Sequence, residues 1–103
     1  MIAHAVYFTL HDPSPAKLQA AIASVREHLS GHEGMSYFAA GLRAAELARP
    51  VNDTGFHVAL FTVFDDKAAH DHYQTHPRHL AFIEANKALW KTVRVFDAQV
   101  EGD

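Results

Sequence analysis

Apolar residues alternate along Ile2 to Leu10, with Val6, Phe8 and Leu10 on one side and Ala3, Ala5 and Tyr7 on the other. A period of two predicts a strand, here apolar on both faces. Asp12-Pro13-Ser14-Pro15 supplies a turn, with Ser14 as N-cap and Pro15 at the first helical position. Leu18, Ile22, Val25 and Leu29 then recur at helical spacing until Gly31 ends the run, which predicts the first helix. Met35 to Leu42 reads as a second strand, weakened by Ala39-Ala40-Gly41. Arg43 to Asp53 fits either a loop or a helical turn, and Asn52-Asp53-Thr54-Gly55 is turn chemistry leading into the strongest strand, Phe56 to Phe64.

Asp65 or Asp66 can cap a short helix from about Lys67 to Thr75, and Pro77 disfavours helical geometry at His76. A new helix starting at Pro77 is expected to reach about Lys91. A last strand, Thr92 to Val100, follows with Val93, Val95 and Asp97 on one face and Phe96, Ala98 and Val100 on the other. The order βαββαβ predicts an α+β, ferredoxin-like split βαβ fold: one domain over residues 1–103, a four-stranded antiparallel sheet with helices on one face. Phe56, Val58, Leu60, Phe64, Tyr7, Phe96 and Val100 are expected on the face away from the helices. So large an apolar patch calls for a second copy stacked sheet on sheet, giving a homodimer, a dimeric α+β barrel.

Composition narrows the partners. A chain of 103 residues holds one core, and a net charge of -3 provides no basic field for nucleic acid or an anionic membrane. A small molecule or another protein is the expected partner. The absence of cysteine excludes disulfides, thiolate nucleophiles and iron-sulfur ligation. Neither a signal-peptide pattern nor a run of membrane-spanning length occurs, so a cytoplasmic location is expected.

The chemistry concentrates in His70-Asp71-His72-Tyr73-Gln74-Thr75-His76-Pro77-Arg78-His79, which holds four of the nine histidines. On a helix from Pro77, the residues His79, Ile83, Asn86 and Trp90 form one stripe facing the sheet. His79 lies in the first turn, where the helix dipole favours a neutral imidazole. Topology brings the start of that helix, the end of the last strand and the start of the first strand to one end, so His79, Asp97 and His4 can converge. Asp97 is then expected to accept a proton from His79, or else to pair with Arg94. Tyr73 would place a phenol nearby as donor to a developing oxyanion. His57 falls at the other end of its strand. Asn86 suits either a ligand contact or a bond to backbone, and Trp90 suits core packing. His72 and His76 share a helix face, but the break before Pro77 and the lack of an HExxH pattern argue against metal. His70 and His72 read as solvated.

Together, His4-Ala5-Val6-Tyr7-Phe8, Gly55-Phe56-His57, Tyr73-Gln74-Thr75-His76-Pro77-Arg78-His79 and Phe96-Asp97 resemble the stress-responsive A/B barrel (Dabb) family. The resemblance spans nearly the whole chain, and YxxHPxH is its most specific element. It implies a dimeric barrel of two ferredoxin-like halves. One plant member of that family is a polyketide cyclase that works by aldol condensation without metal or organic cofactor. Its catalytic tyrosine and histidine correspond to Tyr73 and His79, and its supporting aspartate to Asp97. Histidines there match His4, His57 and His76, and a tryptophan matches Trp90. Ala20, Ala21 and Ala23 replace bulky aromatic residues of that cyclase, so the substrate does not carry over. The expected function is a cofactor-independent cyclase or lyase acting on a carbonyl compound. Its rivals are a non-catalytic stress-related dimer that binds a small apolar ligand, and a cofactor-free monooxygenase.

Overall fold

The computed structural model of the chain describes residues 1–102. The strands are β1 (Ile2–Leu10), β2 (Met35–Leu42), β3 (Val58–Phe64) and β4 (Trp90–Gln99), and the helices α1 (Pro15–Leu29), α2 (Lys67–Thr75) and α3 (Pro77–Asn86). All neighbouring strands are antiparallel, in the order β2-β3-β1-β4. This is the ferredoxin-like α+β arrangement. No helix of the described residues is long and apolar enough to cross a membrane.

The core lies between the sheet and the helices. Val6, Phe8 and Leu10 of β1 and Val58, Leu60 and Phe64 of β3 pack against Val25 and Leu29 of α1, Tyr73 of α2 and Phe82 of α3. This corrects the expected strand faces. Val58, Leu60 and Phe64 do not lie opposite the helices, because β3 pairs with β1 in a register that sets Val58 across from Phe8 and Leu60 across from Val6. Directly paired residues share a face, so the whole set follows Val6 and Phe8 under the helices. The outer face carries Tyr7, Phe61 and Phe96 together with Tyr37. Phe61, Phe96 and Tyr37 are 43%, 53% and 54% exposed, so an apolar outer surface remains with a different membership.

The last helix is also shorter than expected. It ends at Asn86, a single 3₁₀ turn follows at Lys87–Leu89, and the chain enters β4 at Trp90. The cap residue of α2 is Asp66, whose carboxylate accepts from the Ala69 amide at 2.8 Å. His76 is at once the C-cap of α2 and the N-cap of α3, its Nδ1 accepting from the Arg78 amide at 3.1 Å, and Pro77 opens α3.

Gly34 ties the turn before β2 to the start of α2: its carbonyl accepts from the Asp65 amide at 2.8 Å, and its φ is 77°. A Cβ there would collide with the Cβ of Ala69. Gly31, with φ 71°, has open space around it. Gly31→Ala should therefore cost only the left-handed backbone penalty of about 1–2 kcal/mol, and Gly34→Ala clearly more. Urea denaturation of the two variants checks this, and equal losses would refute the packing role.

Candidate functional site

A cavity of about 440 Å³ opens between the sheet and the helices. β1 contributes His4, Val6 and Phe8, β4 contributes Trp90, Val93, Val95 and Asp97, and Leu60 comes from β3. From above, α2 supplies His70, Tyr73 and Gln74, and α3 supplies His79, Phe82 and Ile83. A groove of similar volume, about 460 Å³, lies on the outer face around Tyr7, Phe56 and Phe96. It holds no histidine, and its Arg94 is paired with Asp53 at 2.8 Å. The proton-transfer groups belong to the inner cavity.

The shortest polar contact there joins His4 Nδ1 to Asp97 Oδ1 at 2.5 Å. His4 and Asp97 are direct partners in the β1–β4 ladder, so their side chains leave the sheet side by side on the inner face. A His-Asp pair therefore forms, but its imidazole is His4. The expected bond from His79 to Asp97 is not made, because cross-strand pairing gives that carboxylate to His4. Arg94 is not its partner either, since it points to the outer face with Asp53. A carboxylate accepts and does not donate, so Nδ1 of His4 carries the proton and Nε2 is the basic nitrogen. Burial lowers the pKa of His4, while the hydrogen bond and charge of Asp97 oppose that shift.

Tyr73 and His79 form the other half of the site. Their rings meet edge to face at 4.7 Å between centroids. The Tyr73 hydroxyl and His79 Nδ1 are both buried and have no hydrogen-bond partner. An unpaired buried polar atom costs about 1–3 kcal/mol, so these two, on rings in contact at the cavity wall, leave hydrogen-bonding capacity unmet inside the fold. Burial raises the pKa of Tyr73, which keeps it a phenol and a donor. His79 is lowered, first by burial and then by the nearby His4 and His32, against a backbone hydrogen bond with Gln74. It is neutral at pH 7.

The remaining sequence candidates separate. Trp90 lines the cavity, its ring tilted against Phe8 at 5.2 Å and Phe82 at 5.6 Å between centroids. His57 lies outside the cavity, where its Nδ1 accepts from the Leu10 amide at 3.0 Å. His76 caps α3 as described. Asn86 braces two helices, donating to Ser24 Oγ at 2.9 Å and to the Phe82 carbonyl at 2.8 Å. Two residues went unrecognised. His70, read as solvated, lines the cavity with its Nε2 3.9 Å from Asp97 Oδ1. His32, buried behind Tyr73, meets that ring at 4.8 Å. The spacing of His70, Tyr73 and Gln74 at i, i+3 and i+4 was the available signal for the first.

Among the described residues, His4, His70 and Asp97 also bring their potential ligand atoms within 4.8 Å of one another. An ion bound there would have to part His4 from Asp97, whose Nδ1 and Oδ1 are hydrogen-bonded at 2.5 Å. As placed, His4 and Asp97 are hydrogen-bonded and His70 stands beside them, its Nε2 3.9 Å from the carboxylate.

Fold and site together define a small ferredoxin-like domain with a histidine-lined cavity beneath its helices. The chain belongs to the stress-responsive A/B barrel family, whose pattern it matches over residues 2–100. No curated protein sequence matches it. Among solved structures, a Dabb-family protein with a ferredoxin-like fold from Mesorhizobium loti is 23% identical with a TM-score of 0.78, over 98% of this chain and 97% of that one. A dimeric ferredoxin-like protein from Thermobifida fusca is 16% identical with a TM-score of 0.77, covering 96% and 90%. A hydroxynitrile lyase from Passiflora edulis is 18% identical with a TM-score of 0.76, covering 99% and 94%.

His4, His32 and His79 have an ordinary pKa of 6.5 and are all lowered in the fold. The unfolded chain thus takes up these protons at higher pH than the folded one, so their contribution is complete above about pH 6.5 and shrinks as pH falls through the lowered values. The urea midpoint should drop between pH 7.5 and pH 5.5. A midpoint that rises over that interval would contradict the buried neutral imidazoles.

Proposed function

We propose that the chain is a homodimeric α+β barrel that catalyses proton transfer at a carbonyl compound without a cofactor, in a cyclase-like or lyase-like reaction. The observation that carries this reading is the His4–Asp97 pair at 2.5 Å, in one cavity with two partnerless polar groups on Tyr73 and His79. In it, Nε2 of His4 removes the proton next to the carbonyl, and Asp97 holds the ring and stabilises the imidazolium that forms. Charge collects on the substrate oxygen, where the Tyr73 hydroxyl donates a hydrogen bond, while the single N–H of the neutral His79 ring is engaged with the Gln74 backbone and the ring packs against that phenol. The proton returns from His4 when the carbon-carbon bond has formed or broken. The sequence resemblance to the plant polyketide cyclase, whose catalytic histidine corresponds to His79 and not to His4, supports the reaction class alone, and the fold neighbour described as a hydroxynitrile lyase is compatible with it.

Exchange of α-protons for deuterium in 4-phenyl-2-butanone, followed by NMR, tests the step directly. Wild type should catalyse it. His4→Ala and Asp97→Asn should slow it, the former by about 10²–10⁴-fold, with the fold retained. Undiminished exchange in His4→Ala would remove the assignment. The second reading, a non-catalytic stress-related dimer holding a small apolar ligand, is favoured by the mainly apolar walls. Binding without exchange would select it.

The homodimer reading rests on Tyr7, Tyr37, Phe61 and Phe96 on the outer face and on the dimeric neighbour. Phe96→Glu should convert a sedimenting dimer to monomer, because a charge would be buried between the sheets. A monomeric wild type would overturn it.

A further inference from the structure

We infer that the cavity takes an uncharged carbonyl compound with an apolar body and excludes carboxylates. The inference rests on reading the cavity as a carbonyl site and adds the chemical class of the occupant.

The first observation is the charge of the walls. No lysine or arginine among the described residues lines the cavity, and its only formal charge is Asp97. The cations near it are held elsewhere. Arg78 donates to the Ser30 carbonyl at 3.0 Å and to the Glu27 carbonyl at 2.5 Å, fastening α3 to the end of α1. Lys67 pairs with Asp71 on the surface of α2, Lys87 with Glu84, and Arg94 with Asp53 across the outer face. The imidazoles of His4 and His79 are kept neutral by burial. A substrate carboxylate placed beside the reacting carbonyl would meet a like charge at Asp97 and no cation in exchange for its water.

The second observation is the direction of the cavity. It runs along β1 from His4 through Val6 to Phe8, with Asp97, Val95 and Val93 of β4 beside them in register. The four residue steps from His4 to Phe8 cover about 13 Å. The phenol donor of Tyr73 and the base gather at the His4 end. At the other end Phe8, Phe82 and Trp90 form a cluster of rings with centroids 5.2–6.0 Å apart. Such a surface suits an aryl or branched alkyl group. The occupant is therefore bipartite, with an oxygen at one end and an apolar tail that fills the rest.

Isothermal titration calorimetry at pH 7.5 with two probes tests this. 4-Phenyl-2-butanone is uncharged, and 2-oxo-4-phenylbutanoate carries a carboxylate where the ketone has its methyl group. The ketone should bind at least tenfold more tightly. Asp97→Asn should narrow that ratio by admitting the acid, and Val95→Trp, which places bulk at a half-exposed cavity position, should abolish ketone binding while the chain stays folded by circular dichroism. Equal or tighter binding of the acid, no binding of the ketone, an unchanged ratio in Asp97→Asn, or unaltered ketone binding in Val95→Trp would each overturn the inference. Deuterium exchange is a separate readout. A ketone that binds selectively but does not exchange defeats the catalytic reading alone, whereas exchange with an equally tight acid defeats only the charge selectivity.

Discussion

The register of β1 against its two neighbours is the constraint on which the rest depends. β1 is a central strand, paired on one side with β3 and on the other with β4. Val6 and Phe8 must lie beneath the helices to be buried, and that requirement also places His4, two residues earlier on the same face, at the inner surface. The β4 register then sets Asp97 directly across from it. A slip of one residue would send His4 outward and bring Tyr7 into the core. The hydrophobic demand that orders the sheet therefore delivers the His-Asp pair, without a separate positioning device.

The helix junction does the complementary work from above. Tyr73 and His79 are six residues apart, which on one unbroken helix would separate them by about 240° of rotation. They would then face different surroundings. The break at His76 and Pro77 reorients the second helix, so that the last turn of α2 and the first turn of α3 present their rings to each other and to His4, whose centroid lies 6.0 Å from Tyr73. His76 carries out this break by closing one helix and capping the next. It explains why a histidine stands there even though its ring does not line the cavity.

Much of this was legible in the residues, for physical reasons that also mark where legibility ends. β1, α1 and the start of α3 carry unambiguous signals: two-residue alternation, helical spacing after a Ser-Pro start, and a proline that breaks one helix and opens another. The faces of β3 are not legible in the residues because Phe56 to Phe64 is apolar at odd and even positions alike, so the pattern does not say which half faces inward; only pairing does. The end of α3 has no sequence signal, because neither glycine nor proline follows Asn86 and Trp90 fits a helical stripe as well as a strand start. Asp97 lies on the expected inner face but bonds to His4 and not to His79, because the partner is set by which residue shares its ladder, and strand pairing is not written in the local pattern. His57 and Asn86 are polar residues engaged with the backbone, a use that sequence alone cannot distinguish from ligand contact.

The two apolar surfaces of this sheet are linked through β4. It is an edge strand with a single ladder, most of its residues are exposed, and side chains alternate along it between the inner and outer faces. Phe96 points outward and Asp97, its neighbour in sequence, points inward with 47% of its side chain exposed. A strand held on one side only is prone to fray, and fraying of β4 would first loosen the aspartate that orients His4. Stacking a second sheet over Phe96 would hold the same stretch of backbone from its other face. In a domain this small, dimerisation would then stabilise the cavity wall as well as cover apolar surface, and assembly and chemistry would be coupled by two adjacent residues of one strand.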